Sequence, residues 1–197
     1  MHYCLTKFNQ QMKTMKPFKW MVITGLILVA AISRLIPHPF NFSPVAGMAL
    51  FAGATMGKKA WAFILPLGAL FLSDLCFQLF TAVPGFYGWS QFINYGAFAL
   101  IVCLGIVALK KVNVKNVLLT SLGASILFFI LSNFGVWLVA GGLAPYTYNA
   151  AGLFNTFMLG IPFFGNTILG DMVSSGVLFG AYYLIRQLAV SKKHLVA

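Results

Sequence analysis

The sequence predicts an all-α, polytopic membrane protein with six transmembrane helices, and three observations predict it. The 197 residues are 60% hydrophobic and only 8% charged, with a mean hydropathy of +0.91. One soluble domain of that size cannot hide so much apolar side chain, so the solvent for most of it is lipid. Six apolar runs follow one another, and the basic residues gather at their ends. In a soluble chain the formal charge of +11 would suggest nucleic acid. Distributed as small clusters at span ends it reads as a topology signal, so the partner is the lipid bilayer and no nucleic acid is expected.

The spans cover residues 20–36, 44–56, 61–82, 90–109, 117–140 and 162–185. The first begins at Trp20, behind Lys7, Lys13, Lys16 and Lys19, and ends at the prolines of RLIPHPFNFSP. The second is short and is followed by Lys58 and Lys59. Lys110, Lys111 and Lys115 separate the fourth from the fifth, and Arg186, Lys192 and Lys193 follow the sixth. Only Arg34 of the thirteen basic residues falls on the other side. The positive-inside rule then gives a multi-pass membrane protein with both termini in the cytoplasm. It divides into a tail (1–19), a transmembrane domain (20–186) and a basic tail (187–197).

Lys16 and Lys19 before an apolar stretch ending Ala31-Ile32-Ser33 also resemble a signal peptide, but cleavage would leave five spans and misplace the C-terminal lysines. Met12 or Met15 could serve as an alternative start, since residues 1–14 carry no structural pattern. Cys4, Cys76 and Cys103 form no disulfide framework.

The only two acidic residues, Asp74 and Asp171, both lie inside spans. An ionisable side chain in hydrocarbon is either half of a structural pair or part of a functional site. At 1.5 Å per residue, Arg34, Asp74 and Asn133 stand about 20–24 Å above the inner ends of their helices. Asp171 and Asn166 are about 14 and 6 Å below the outer end of theirs. In a core about 30 Å thick these form one layer in the outer half. Asp74, Gln78 and Thr81 share a face of the third span; Gln91, Asn94 and Tyr95 share one on the fourth; Thr167, Asp171, Ser174 and Ser175 line the last. Ser132, Asn133 and Trp137 occupy the outer part of the fifth. The layer therefore reads as a pocket, with interhelical hydrogen bonding as the competing explanation.

From Pro44 to Gly57 the chain covers only about 21 Å as a helix, short of a full crossing, so residues 37–43 must dip below the outer boundary. Pro37, Pro39 and Pro44 hold that connection extended, and Ser43 is expected to cap the helix. His38 and Asn41 offer polar groups to the pocket, between Phe40 and Phe42. PFFGNTILGD should begin the last span, after a short surface helix at 152–161. Close helix approach is expected at Ala49, Gly53 and Gly57, at Ser121 and Ser125, and at Gly176 and Gly180.

RLIPHPFNFSP (34–44), LSDL (72–75), SNFGVWL (132–138) and IPFFGNTILGD (161–171) together resemble an uncharacterised family of small bacterial integral membrane proteins. That family carries PHPxNFTP, NFGVW and PFFxNTLLGD motifs. It is itself distantly similar to the S components of energy-coupling-factor vitamin transporters. The resemblance implies an S-component-like bundle with a solute site near the outer face, and docking to a shared energy-coupling module. The first span, WMVITGLILVAAISRL, lacks the AxxxA pattern used for that docking.

The expected function is binding and transport of a small, vitamin-like solute through Arg34, His38, Asn41, Asp74, Gln78, Asn94, Tyr95, Asn133, Trp137, Asn166 and Asp171. A proton-coupled carrier using Asp74 and Asp171 is the alternative, as is a structural or assembly protein with no ligand. No enzyme is expected, and no cofactor or metal. There is no paired-histidine spacing and no GxSxG, and His38 has no catalytic partner in sequence.

Overall fold

The computed structural model describes residues 2–57 and 60–195, with side chains for 18–57, 60–189 and 191. Lys58 and Lys59, and the side chains of Cys4, Lys7, Met12, Lys13, Met15, Lys16, Lys192 and Lys193, lie outside the described residues. The chain forms six helices: α1 (His2–Ser33), α2 (Val45–Met56), α3 (Trp61–Phe80), α4 (Trp89–Ala108), α5 (Val114–Val139) and α6 (Ala150–Leu195). Four of them, α3, α4, α5 and the Ala150–Ala189 part of α6, are long and apolar enough to cross a membrane. The apolar Phe18–Ser33 segment and α2 are shorter.

α2 is the axis around which the rest is packed. Its sequence, VAGMALFAGATM, is apolar on every side, and a helix of that kind is stable only when surrounded. Ten of its residues are buried, and all five other helices touch it. Phe51 is fully buried at its centre. Edge-on rings of Phe179 and Tyr182 meet it at 5.3 and 5.5 Å.

Small residues let α2 and α4 approach closely. The α-carbon of Gly53 faces the Val102 carbonyl of α4, and that of Gly105 faces the backbone of Leu50. A methyl group at either would strike the opposite main chain. Gly57, expected on the same contact stripe, instead ends α2 at a φ of +68°, a conformation glycine adopts without steric cost. Gly176 and Gly180 have open space around them, so the contact stripe expected there is not an approach of helices. Ser121 and Ser125 are fully buried, facing α6.

Three boundaries differ from expectation. α1 starts at His2 rather than near Trp20, because the polar segment before it is rich in methionine, glutamine and lysine, all good helix formers. Residues 152–161 are not a separate helix: α6 runs unbroken through Pro162. Its start is fixed by Asn149, whose side-chain oxygen accepts from the Gly152 amide at 2.8 Å, a cap of the ordinary kind. Pro162 removes one amide donor, a loss that 46 helical residues tolerate. Ser43 does not cap α2. The first helical bond runs from the Met48 amide to the Pro44 carbonyl at 2.9 Å, so the cap position belongs to Pro44 and Ser43 stands one residue too early.

Candidate functional site

Two carboxylates organise the end of the bundle that holds the α1–α2 loop, and their surroundings are opposite in kind. Asp74, on α3, is 1% exposed. Arg34, just past the end of α1, donates from Nη1 to its Oδ1 and, at 2.6 Å, to the neighbouring Ser73 hydroxyl. From α4, Gln91 Nε2 and Tyr95 Oη donate to Oδ2 at 2.6 and 2.8 Å. The guanidinium also lies 5.2 Å from the centre of the Phe77 ring, a distance at which a cation is attracted to the ring face. Asp74 is thus matched by protein groups, and the set ties three helices together.

Asp171, on α6, is 3% exposed. Its Oδ2 accepts from the Ser125 hydroxyl of α5 at 2.7 Å. No other hydrogen bond to its carboxylate and no ion pair is found among the described residues. It faces a cavity of about 250 Å³ that Arg34, Ser43, Asp74, Asn94 and Tyr95 also line, with Leu70, Phe98 and Phe128 as apolar walls. Phe98 and Phe128 stack at 4.8 Å. A second space of about 380 Å³ adjoins it, sharing Asn41, Tyr87, Asn94, Phe128 and Thr167, and extends to Ser132, Asn133 and Phe164.

The cavity keeps hydrogen-bonding capacity that the protein does not use. The Ser43 hydroxyl is buried without a partner. Arg34 spends only Nη1, leaving Nε and Nη2 without partners among the described residues. The side-chain amide of Asn94 has no hydrogen bond there either. α2 opens on the same space at Val45 and Ala46, with no side chain capping its first turn.

Of the residues expected to form the site, Arg34, Asn41, Asp74, Asn94, Tyr95 and Asp171 line this cavity, and Asn133 lines the adjoining space. Four lie outside both, each held by loop or turn backbone. His38 points its ring nitrogens at the carbonyls of Arg34 and Pro39, at 3.1 and 3.0 Å, and borders a separate apolar groove. Gln78 accepts from the Gly85 amide in the α3–α4 connection at 3.2 Å. Trp137 donates to the Thr147 carbonyl at 2.9 Å. Asn166 donates to the Phe40 carbonyl at 3.0 Å, fastening the α1–α2 loop to α6. That loop turns at 39–42, where Phe42 bonds back to Pro39 and Asn41 takes a φ of +62°, as the third residue of a type II turn requires.

Ser43 and Ser125 had not been expected at the site. Ser43 reads as a helix cap in sequence, and Ser125 as a small packing residue. Among the described residues, no three His, Cys, Asp or Glu side chains come together to hold a metal.

Compared with known proteins, residues 15–193 match the model of a family of unknown function (DUF6580). The match is consistent with the expectation of an uncharacterised family. No curated protein and no solved structure matches the chain.

Proposed function

We propose that this chain, which belongs to the DUF6580 family of unknown function, captures a small organic solute at a cavity in the outer half of a bacterial cytoplasmic membrane and carries it inward. In this reading all six helices lie in the bilayer within residues 20–186, S-component-like, with both termini in the cytoplasm. α2, with the 34–44 loop above it, replaces one full-length crossing. Exposed rings of Phe40, Phe80 and Trp89 at the loop end, and of Trp61 at the other, suit the two membrane interfaces.

The observation that carries the reading is the unspent polar capacity around one cavity: Ser43, Arg34, Asn94 and Asp171. A buried polar group left unpaired costs about 1–3 kcal/mol; Ser43 is such a group, and the unused donors of Arg34 and Asn94 beside it offer further partners to a molecule from outside the chain. Apolar walls with a few convergent polar groups are the usual form of a small-molecule site. The test is mass spectrometry of protein purified from its native membrane. A small molecule near one per chain is expected, lost from a Ser43→Val/Asn94→Leu variant. Protein that carries lipid alone would count against it.

A proton-coupled carrier is the second reading, favoured by Asp171, since an intramembrane carboxylate with one hydroxyl partner suits proton exchange. Uptake that an uncoupler abolishes and that needs no ATP would select it.

A further inference from the structure

The cavity has one formal charge to spare. Arg34 and Asp74 cancel each other, and Asp171 remains. The hydroxyls around it are engaged elsewhere as well. Ser125 Oγ is also within 3.1 Å of the Ser121 carbonyl, so its single proton is divided between two acceptors. Ser175 Oγ bonds Ser121 Oγ at 3.4 Å, and Ser174 Oγ turns back to the Asp171 carbonyl oxygen at 3.2 Å. Among the described residues no basic side chain pairs with Asp171. A carboxyl group in that position either holds a proton or, when ionised, calls for a cation or a further donor beside Ser125.

Resting on the binding reading above, we propose that the solute is a small organic cation, whose protonated nitrogen seats against Asp171 and whose single ring lies along Phe98 and Phe128. Three features select this class. The part that Asp171 lines, at about 250 Å³, has room for one ring, and the adjoining space of about 380 Å³ is open to the rest of the solute. Its aromatic walls attract cations through their faces. A bare metal ion would want several oxygen ligands, and the only other carboxylate, Asp74, is already engaged by Arg34, Gln91 and Tyr95. The remaining Arg34 donors, Asn94 and the uncapped start of α2 then meet an acceptor atom elsewhere on the solute.

Three probes share one ring and differ in charge: tyramine (cation), tyrosol (neutral) and 4-hydroxyphenylacetate (anion). Each is titrated calorimetrically into the full chain in lipid nanodiscs, and sodium chloride is titrated separately. Tyramine is expected to bind at least about tenfold tighter than tyrosol, with the anion failing to compete. In Asp171→Asn, tyramine is expected to fall to the affinity of tyrosol, which itself stays within about twofold of its wild-type value. If that variant does not fold, the charge ranking on the wild-type protein decides. A preference for tyrosol or the anion, or tyramine affinity unchanged in Asp171→Asn, overturns the cation assignment and leaves the pocket standing. Sodium stabilising the wild-type protein but not the variant, without a tyramine preference, overturns it in favour of an inorganic ion. If none of the three organic probes binds at millimolar concentration, both the assignment and the pocket fall.

Discussion

Arg34 divides its guanidinium between structure and site, and the two halves are separable by substitution. Nη1 holds Asp74 and Ser73, so Arg34→Ala strands a buried carboxylate and is expected to cost about 3–5 kcal/mol. Replacing both partners, Arg34→Met with Asp74→Leu, should recover only part of that loss, because an apolar pair removes the unmatched charge while Gln91 and Tyr95 lose their acceptor. Unfolding in detergent with a chemical denaturant measures both. Ser43 predicts the reverse pattern. Its hydroxyl has no partner to lose, so Ser43→Ala should leave stability within about 0.5 kcal/mol while lowering the recovery of bound solute. Arg34 and Asp74 were legible in the sequence, because a charge inside an apolar span has to be matched. Ser43 was not: a serine before proline reads as a cap, and only the actual helix start at Val45 shows that the hydroxyl is spare. His38, Gln78, Trp137 and Asn166 were misplaced for a common reason. Each bonds to a loop or turn backbone group, and the path of a connection leaves no periodic trace in sequence.

Among the elements, the α2–α4 crossing is the most exacting contact. Gly53 and Gly105 each face main chain, where no side chain can swing away, so Gly105→Ala is expected to cost about 1–3 kcal/mol through forced separation. Gly176→Ala, in the interior of α6 with open space around it, should be neutral or stabilise by up to about 1 kcal/mol. Thermal unfolding of the two variants side by side distinguishes a packing glycine from a merely helical one. In sequence Gly53 and Gly176 look alike, since four-residue spacing records which residues share a face but not what the face meets. The existence of the apolar helices was readable from their runs, and most of their ends to within a few residues. The continuity of α6 was not, because Pro162 is a helix boundary in most contexts and the competing signal, the Asn149 cap, lies thirteen residues upstream.

At the scale of the molecule, the polar groups of the cavity gather at one end of the bundle, whereas Lys110, Lys111 and Lys115 sit in and beside the α4–α5 connection at the other. Cysteines placed at exposed positions read the orientation directly. In a chain whose three native cysteines are changed to serine, Tyr148→Cys should react with a membrane-impermeant maleimide added to intact cells, and Val112→Cys only after lysis. The reverse pattern would invert the proposed topology. The central place of α2 bears finally on how the protein is made. A 12-residue helix, about 18 Å long, is too short to hold a bilayer on its own, and the rings that enclose Phe51 belong to Phe179 and Tyr182 near the end of the chain. The second helix to leave the ribosome therefore waits for the last. A chain stopped after Asn149 is expected to be cleared within a pulse-chase experiment, while the full chain persists. On the proposed topology, the arrival of α6 is then the step that completes the enclosure of Phe51.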